Sequence, residues 1–194
     1  MNVKWILALS FGVLVSCSDQ EKPQPKAKTE VKKEAAKKPA AKKEAPKKKK
    51  AKKPSDEAVV TVNAEGVAEV TLEGTDSMQY TTKKFTVTAG QKVKLTLKHV
   101  GKLPKNAMGH NVVILKAGIE PGEFATAAQA AVDNDYFPKD KADQTIAHTQ
   151  LIGGGESTTI EFTAPAEGTY KYICTYPGHW SMMQGELIVT AAKK

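Results

Sequence analysis

From residue 58 onward the chain is cut into short runs rich in β-branched residues. "AVVTVNA", "VAEVTLEG", "KKFTVTAG", "QKVKLTLKHV", "HNVVILKA", "STTIEFTA", "TYKYICTY" and "GELIVTA" each read as strands. Turn chemistry punctuates them in "GKLPKN", "GGGE", "APAEG" and "YPGH". In "KVKLTLKH" the residues Val93, Leu95 and Leu97 fall on one side, the period of a sheet with one buried face. About eight such strands predict an all-β fold, an antiparallel Greek-key sandwich or barrel. One interval breaks the rhythm. "EPGEFATAAQAAVDNDYFPKD" is alanine-rich and predicts a short helical excursion before Pro138, outside the sandwich.

The N-terminal part has another character. "MNVKWILALSFGVLVSC" carries an early lysine and an apolar run from Trp5 to Val15, the pattern of a signal peptide and too short to span a bilayer comfortably. Its end, "LVSC", resembles a bacterial lipobox, which implies cleavage before Cys17 and lipidation of that cysteine. Residues 1–16 are then a lipoprotein signal peptide. Residues 17–57 are the lipidated cysteine and a disordered Lys/Ala/Pro-rich tether, too poor in large hydrophobes to offset its ordering entropy. Residues 58–194 are the folded domain. The expected location is outside the cytoplasm, anchored to a bacterial membrane and facing the periplasm. Inner membrane, outer membrane and cell surface all stay open.

The net charge of +8 misleads. Residues 21–54 hold 15 Lys and 4 Glu, whereas residues 55–194 hold 13 Lys and 16 acidic residues. The folded part is slightly acidic, and the chain has no arginine to read a base or phosphate with two hydrogen bonds. No nucleic-acid partner is expected.

The chain has two cysteines. With Cys17 lipidated, Cys174 has no disulfide partner, and an unpaired cysteine in an exported protein asks for a reason. "CTYPGHWSMM" supplies one. A tight loop between two strands can aim Cys174, His179 and Met183 at one point, and His110 in "AMGHNVVI" offers a second imidazole. Two imidazoles, a thiolate and a thioether form the ligand set of an electron-transfer copper site, closed to substrate. Zinc on the same Cys and His residues, or Cys174 as a nucleophile paired with His179 or His110, are the alternatives.

"GKLPKNAMGHN", "TIAHTQLIGGGE", "CTYPGHWSMMQGEL" and "LEGTDSMQY" together resemble the azurins, bacterial blue copper proteins with a cupredoxin fold, over about residues 68–190. The resemblance implies one copper ion per chain, cycling between Cu(I) and Cu(II). His110, Cys174 and His179 would bind it equatorially. Met183 would be axial, with the Gly109 carbonyl a weak ligand opposite. Asn111 would hydrogen-bond across to the ligand loop, and backbone N–H groups near Asn111 and Tyr176 would tune the thiolate. The loop histidine would show an edge within an apolar docking patch of Met78, Leu103, Met108, Tyr176, Pro177 and Met182, and Trp180 beside it would enlarge that patch or partly shield the copper. His99 is expected to be packed near the site and His148 to be on the surface.

The departures are specific. The disulfide of the family is absent, its positions falling at Ala68 and near Gly90. A buried tryptophan of the family is Val112 here, and Trp180 follows His179 where a small residue is usual. The implied function is single-electron shuttling, without enzymatic turnover, by a monomer whose partners are c-type cytochromes and a reductase or oxidase. A periplasmic copper-binding or trafficking lipoprotein is the alternative. An adhesive domain on the same scaffold is a weaker one.

Overall fold

The structure, a computed structural model, describes residues 55–192. The signal segment 1–16, Cys17 and nearly all of the tether lie outside the described residues. Eleven strands occur among the described residues, in two sheets. One sheet runs in the order β1 (Ser55–Glu57), β5 (Thr82–Thr88), β11 (Gln184–Thr190), β10 (Gly168–Ile173), β7 (Val113–Leu115) and β8 (Thr145–His148). The other runs β2 (Val60–Val62), β3 (Ala68–Thr75), β6 (Lys92–His99) and β9 (Ser157–Thr163), with β4 (Gln79–Tyr80) paired to β3. This is the all-β sandwich expected from the sequence.

All eight expected segments carry a strand. The three additional ones, β1, β4 and β8, are two to four residues long. β1 reads Ser-Asp-Glu and holds its place by backbone pairing with β5 rather than by any apolar face. This strand, Ser55–Glu57, lies within the span assigned to the tether. The pairing also corrects the antiparallel expectation. β3 runs parallel to β6, and β5 parallel to both β1 and β11. Between β3 and β6 the chain crosses to the other sheet to make β5, so it returns to its neighbour in the same direction.

Alternation places the core. In β6, Val93, Leu95 and Leu97 are buried at 0–1% exposure while the intervening side chains are not. They meet Phe85, Tyr172 and Leu187 from the facing sheet in one apolar cluster. Tyr172 fits there because its hydroxyl donates to the Thr82 carbonyl at 3.0 Å, leaving no buried polar atom unpaired at that end of the ring.

The excursion forms α2 (Pro121–Ala128), after the single-turn α1 (Lys105–Met108). Pro121 opens α2, where its missing N–H costs nothing. Phe124, Ala125 and Ala128 are its buried side. Phe124 and Ala125 join Val113, Leu115, Phe137 and Ile173 in a second, smaller apolar cluster, with Ile119 and Trp180 packed on it. Among the described residues no helix is long and apolar enough to cross a membrane.

Leu95→Ala should cost about 2–5 kcal/mol, the range for a truncated buried leucine. The half-buried neighbour substitution Lys94→Ala should stay within about 1 kcal/mol, since it removes only a surface ion pair. Urea unfolding of both variants, metal-free, checks this; equal losses would contradict the assigned face of β6.

Candidate metal centre

Three segments converge at one end of the sandwich. His110 sits just before β7 and is fixed by a two-way backbone bridge to Ile152, at 2.9 Å in each direction. Cys174 follows β10 directly, and Met183 precedes β11. The Cys174 N–H donates to the Met183 carbonyl at 3.0 Å, so these two residues close the neck of the loop. Inside it, the His179 N–H donates to the Tyr176 carbonyl, and the N–H groups of Met182 and Met183 both donate to the His179 carbonyl. The loop is thus a tight hydrogen-bonded turn that returns His179 toward Cys174.

One nitrogen of each histidine and the Cys174 sulfur all lie within 4.8 Å of one another, and all three residues are buried. Cys174 Sγ is 3.6 Å from His179 Nδ1 and 3.8 Å from the Gly109 carbonyl oxygen. His110 Nε2 lies 2.8 Å from the Thr75 carbonyl, which only accepts. The ring proton is therefore on Nε2, and Nδ1 carries a bare lone pair. That Nδ1 is buried with no hydrogen-bond partner among the described residues.

The electrostatics agree. Burial lowers the pKa of His110, against the raising effect of the Thr75 carbonyl. Burial, then the charges of His110 and His99, take His179 down to about 4. Burial pushes the Cys174 thiol up to about 12, although the backbone N–H groups of Asn111 and Tyr176 act to lower it. At neutral pH the site thus offers two neutral imidazoles and a thiol that stays protonated until a cation arrives. A buried lone pair without a donor is a cost with no return unless something electrophilic fills the space between. The donor set of two nitrogens and a sulfur fits a soft or borderline transition metal.

The surrounding bonds hold the donors before any ion binds. Asn111 Oδ1 accepts from the Thr175 N–H at 2.8 Å, and its Nδ2 donates to Thr175 Oγ1 at 2.8 Å. These bonds join the residue after His110 to the residue after Cys174. His99 stacks on His110, with ring centres 4.2 Å apart. Its Nε2 donates to the Met108 carbonyl and its Nδ1 accepts from the Gly101 N–H, so it is a hydrogen-bonded packing residue. His148 is exposed and stacks on Phe137.

Two residues escaped the sequence reading. Thr75 fixes the His110 tautomer through its carbonyl, and a backbone acceptor leaves no trace in residue type. Gly74 faces the core in β3. A Cβ there would lie 2.7 Å from His110 Cδ2 and 3.0 Å from Met183 Cε. A glycine at a buried position of an otherwise alternating strand was the available signal. Gly109 is similarly crowded, by the Lys105 carbonyl and the Leu151 and Tyr176 side chains.

The surface differs from expectation in two places. His179 is only 2% exposed, with the Tyr176 ring 4.7 Å away, so the histidine edge is nearly covered. Trp180 does not extend the patch over His179. It turns to the other side of the loop and lies on Gly122 of α2. Leu103 and Met182 are exposed at 42% and 52%, Pro177 is exposed, and Met78, Met108 and Tyr176 are half-buried.

Residues 66–190 match the family of copper-binding proteins described as the plastocyanin/azurin family. The chain is 44% identical over 123 residues to an azurin of Alcaligenes faecalis, covering 61% of this chain and 95% of that protein. It is 45% identical over 125 residues to outer membrane protein H.8 of Neisseria gonorrhoeae, covering 63% and 67%. Among solved structures it resembles reduced auracyanin of Roseiflexus castenholzii, with a TM-score of 0.56 and 36% identity over 62% of this chain and 94% of that one. Auracyanin A of Chloroflexus aurantiacus, a "blue" copper protein, matches with a TM-score of 0.56 and 35% identity, covering 64% of this chain and all of that one. The family binds copper, and the cluster of His110, Cys174 and His179 suits that metal.

Gly74→Ala should leave the sandwich folded but push His110 and Met183 apart, weakening copper retention by about 10–100-fold, the range for disturbed ligand support. Chelator competition measures it; retention equal to wild type would show that the strand yields instead. The metal-free protein should also have a two-sided stability profile. A histidine lowered from 6.5 to about 4 stabilises above pH 6.5, and that stability is lost as pH falls toward 4. A thiol raised from 9.0 to about 12 stabilises below pH 9, and that stability is lost as pH rises toward 12. Chemical unfolding across pH checks both limbs, and His179→Gln should flatten the acidic one.

Proposed function

Since the chain belongs to the plastocyanin/azurin family of copper-binding proteins, we propose that it is a one-electron carrier working outside the cytoplasm between membrane-associated or periplasmic redox partners. The observation that carries this reading is the orphaned His110 Nδ1 beside a buried thiol and a second neutral imidazole. In this reading His110 Nδ1, the Cys174 thiolate and His179 Nδ1 would hold the copper. Met183, fully buried at the loop neck, would add a thioether, and the Gly109 carbonyl oxygen, 3.8 Å from the sulfur, would be a weak contact.

Copper, when bound, would supply a Cu(II)/Cu(I) couple for one-electron transfer. The chain does the rest. His110 and Asn111 hold their places through Thr75 and Thr175, so the donors do not rearrange between oxidation states. The backbone N–H groups of Asn111 and Tyr176 draw charge from the sulfur, which tunes the potential. Burial keeps water away, so no open position remains for a substrate, and turnover at the metal is not part of this reading. Met78, Leu103, Met108, Tyr176, Pro177 and Met182 offer the apolar surface for brief encounters. Partners of the c-type cytochrome class and a reductase or oxidase fit it, with the protein acting as a monomer.

A membrane anchor belongs to the same proposal. Cys17 carries the lipid, and the relative named outer membrane protein H.8 supports a tethered site of action. A tether keeps the domain near its partners and raises their effective concentration. Copper trafficking is the second reading, but a donor set buried on every side disfavours rapid handover.

The test is an optical spectrum of the purified protein after Cu(II) is added and the excess removed. An intense red absorption, bleached by ascorbate and lost in Cys174→Ser, is expected. A colourless protein with copper bound would mean the thiolate is not a ligand and would end the electron-transfer reading.

A further inference from the structure

Each of the three donors is chained to a residue of the second apolar cluster. Val113 lies three positions after His110, Ile173 immediately before Cys174, and Trp180 immediately after His179. Val113 and Ile173 also pair with each other across β7 and β10. The other half of this cluster comes from the excursion, through Phe124, Ala125 and Phe137. Trp180 is the member borne by the ligand loop itself. Its ring covers Gly122 so closely that a Cβ there would lie 3.1 Å from Cη2 and 3.2 Å from Cζ2. Gly122 lies in the first turn of α2, next to Pro121, and its missing side chain leaves the seat for the indole.

Consecutive residues of the turn thus point opposite ways, His179 toward the sulfur and Trp180 onto the helix. We propose that Trp180 is a positioning residue for the copper centre, by which the excursion over residues 121–144 clamps the ligand loop. The indole touches no donor. It acts through the peptide it shares with His179, and the turn closed by the His179 carbonyl passes the restraint on to Met182 and Met183. The excursion is then the outer jaw of the site, with β7 and β10 as the inner one. The clamp's value to copper rests on the reading above, but its effect on the loop does not.

The experiment uses the full chain, with and without copper, in Trp180→Phe, Trp180→Ala and Gly122→Val, and with Ser181→Ala as a neighbouring control. Two quantities are read: copper loss to a chelator, and amide exchange of residues 176–183 in the metal-free protein against that of β3, β6 and β9. Trp180→Ala and Gly122→Val should both lose copper about tenfold faster and speed exchange in the loop alone. Trp180→Phe should keep most of the restraint, and Ser181→Ala all of it. Loop exchange and copper loss equal to wild type in Trp180→Ala and Gly122→Val would overturn the proposal. Exchange raised equally in loop and strands would also overturn it, by reducing Trp180 to a general packing residue. Should Trp180→Ala fail to fold, Gly122→Val and Trp180→Phe decide. A wild-type protein without the red absorption would sink the electron-transfer reading, and the metal-free exchange would still decide the clamp.

Discussion

The exchange of hydrogen bonds between Asn111 and Thr175 is the constraint on which the rest of the metal end depends. The two residues are 64 apart in sequence and nearly fully buried. One follows His110 and the other follows Cys174, so the pair fixes the distance between the two donors. Both ends of the amide are used, which makes the geometry unique: rotation of the side chain by half a turn would set donor against donor. The Tyr80 hydroxyl, donating to the Asn111 carbonyl, ties the same residue back to the main core. Removing either partner would leave a buried polar group unpaired, a larger cost than the bond's own net worth.

That rigidity has a thermodynamic purpose. Without metal the site buries a thiol, two neutral imidazoles and one lone pair without a donor. Each would be better solvated in water, so the sandwich holds an arrangement that is locally unfavourable. The large core between the sheets is what makes this tolerable. Its cluster reaches from Ala68 to Val189 and includes Cys174 and Met183 themselves. The donors are therefore held in place by the packing that stabilises the whole domain. A fold with a small core could not keep such a site shut, and the expected loss of the family disulfide makes the core's share larger here.

Much of this was legible in the sequence because it rests on short-range rules. The period of two placed Val93, Leu95 and Leu97 inside, and the spacing within "CTYPGHWSMM" brought Cys174, His179 and Met183 to one loop. What stayed hidden has physical reasons. β1 has no apolar face and is held on the edge of β5 by backbone pairing and by the Thr86 hydroxyl, which donates to Glu57 Oε1. The parallel pairings depend on which sheet the chain enters next, which no local pattern records. Thr75 acts through its carbonyl, identical in every residue. The seat of Trp180 was not legible because adjacency to His179 in sequence does not say which element the indole packs on, here Gly122 of α2.

The glycines sharpen the same point. Gly74 leaves room for His110 and Met183, Gly109 for Tyr176 and the Lys105 carbonyl, and Gly122 for Trp180. None of them is in the left-handed region that only glycine favours, so their role is space rather than turn geometry. Three elements, a strand, a pre-strand segment and a helix, are each cut back to backbone where they meet the metal end. At Gly74 and Gly109 the cutting back brings main chain against the donors, and at Gly122 it seats the indole that follows His179. A site closed by backbone on several sides can pass an electron through a thin layer of atoms far more readily than it can release an ion. The closure of the walls, more than the donor set they enclose, thus favours an electron carrier over a copper courier.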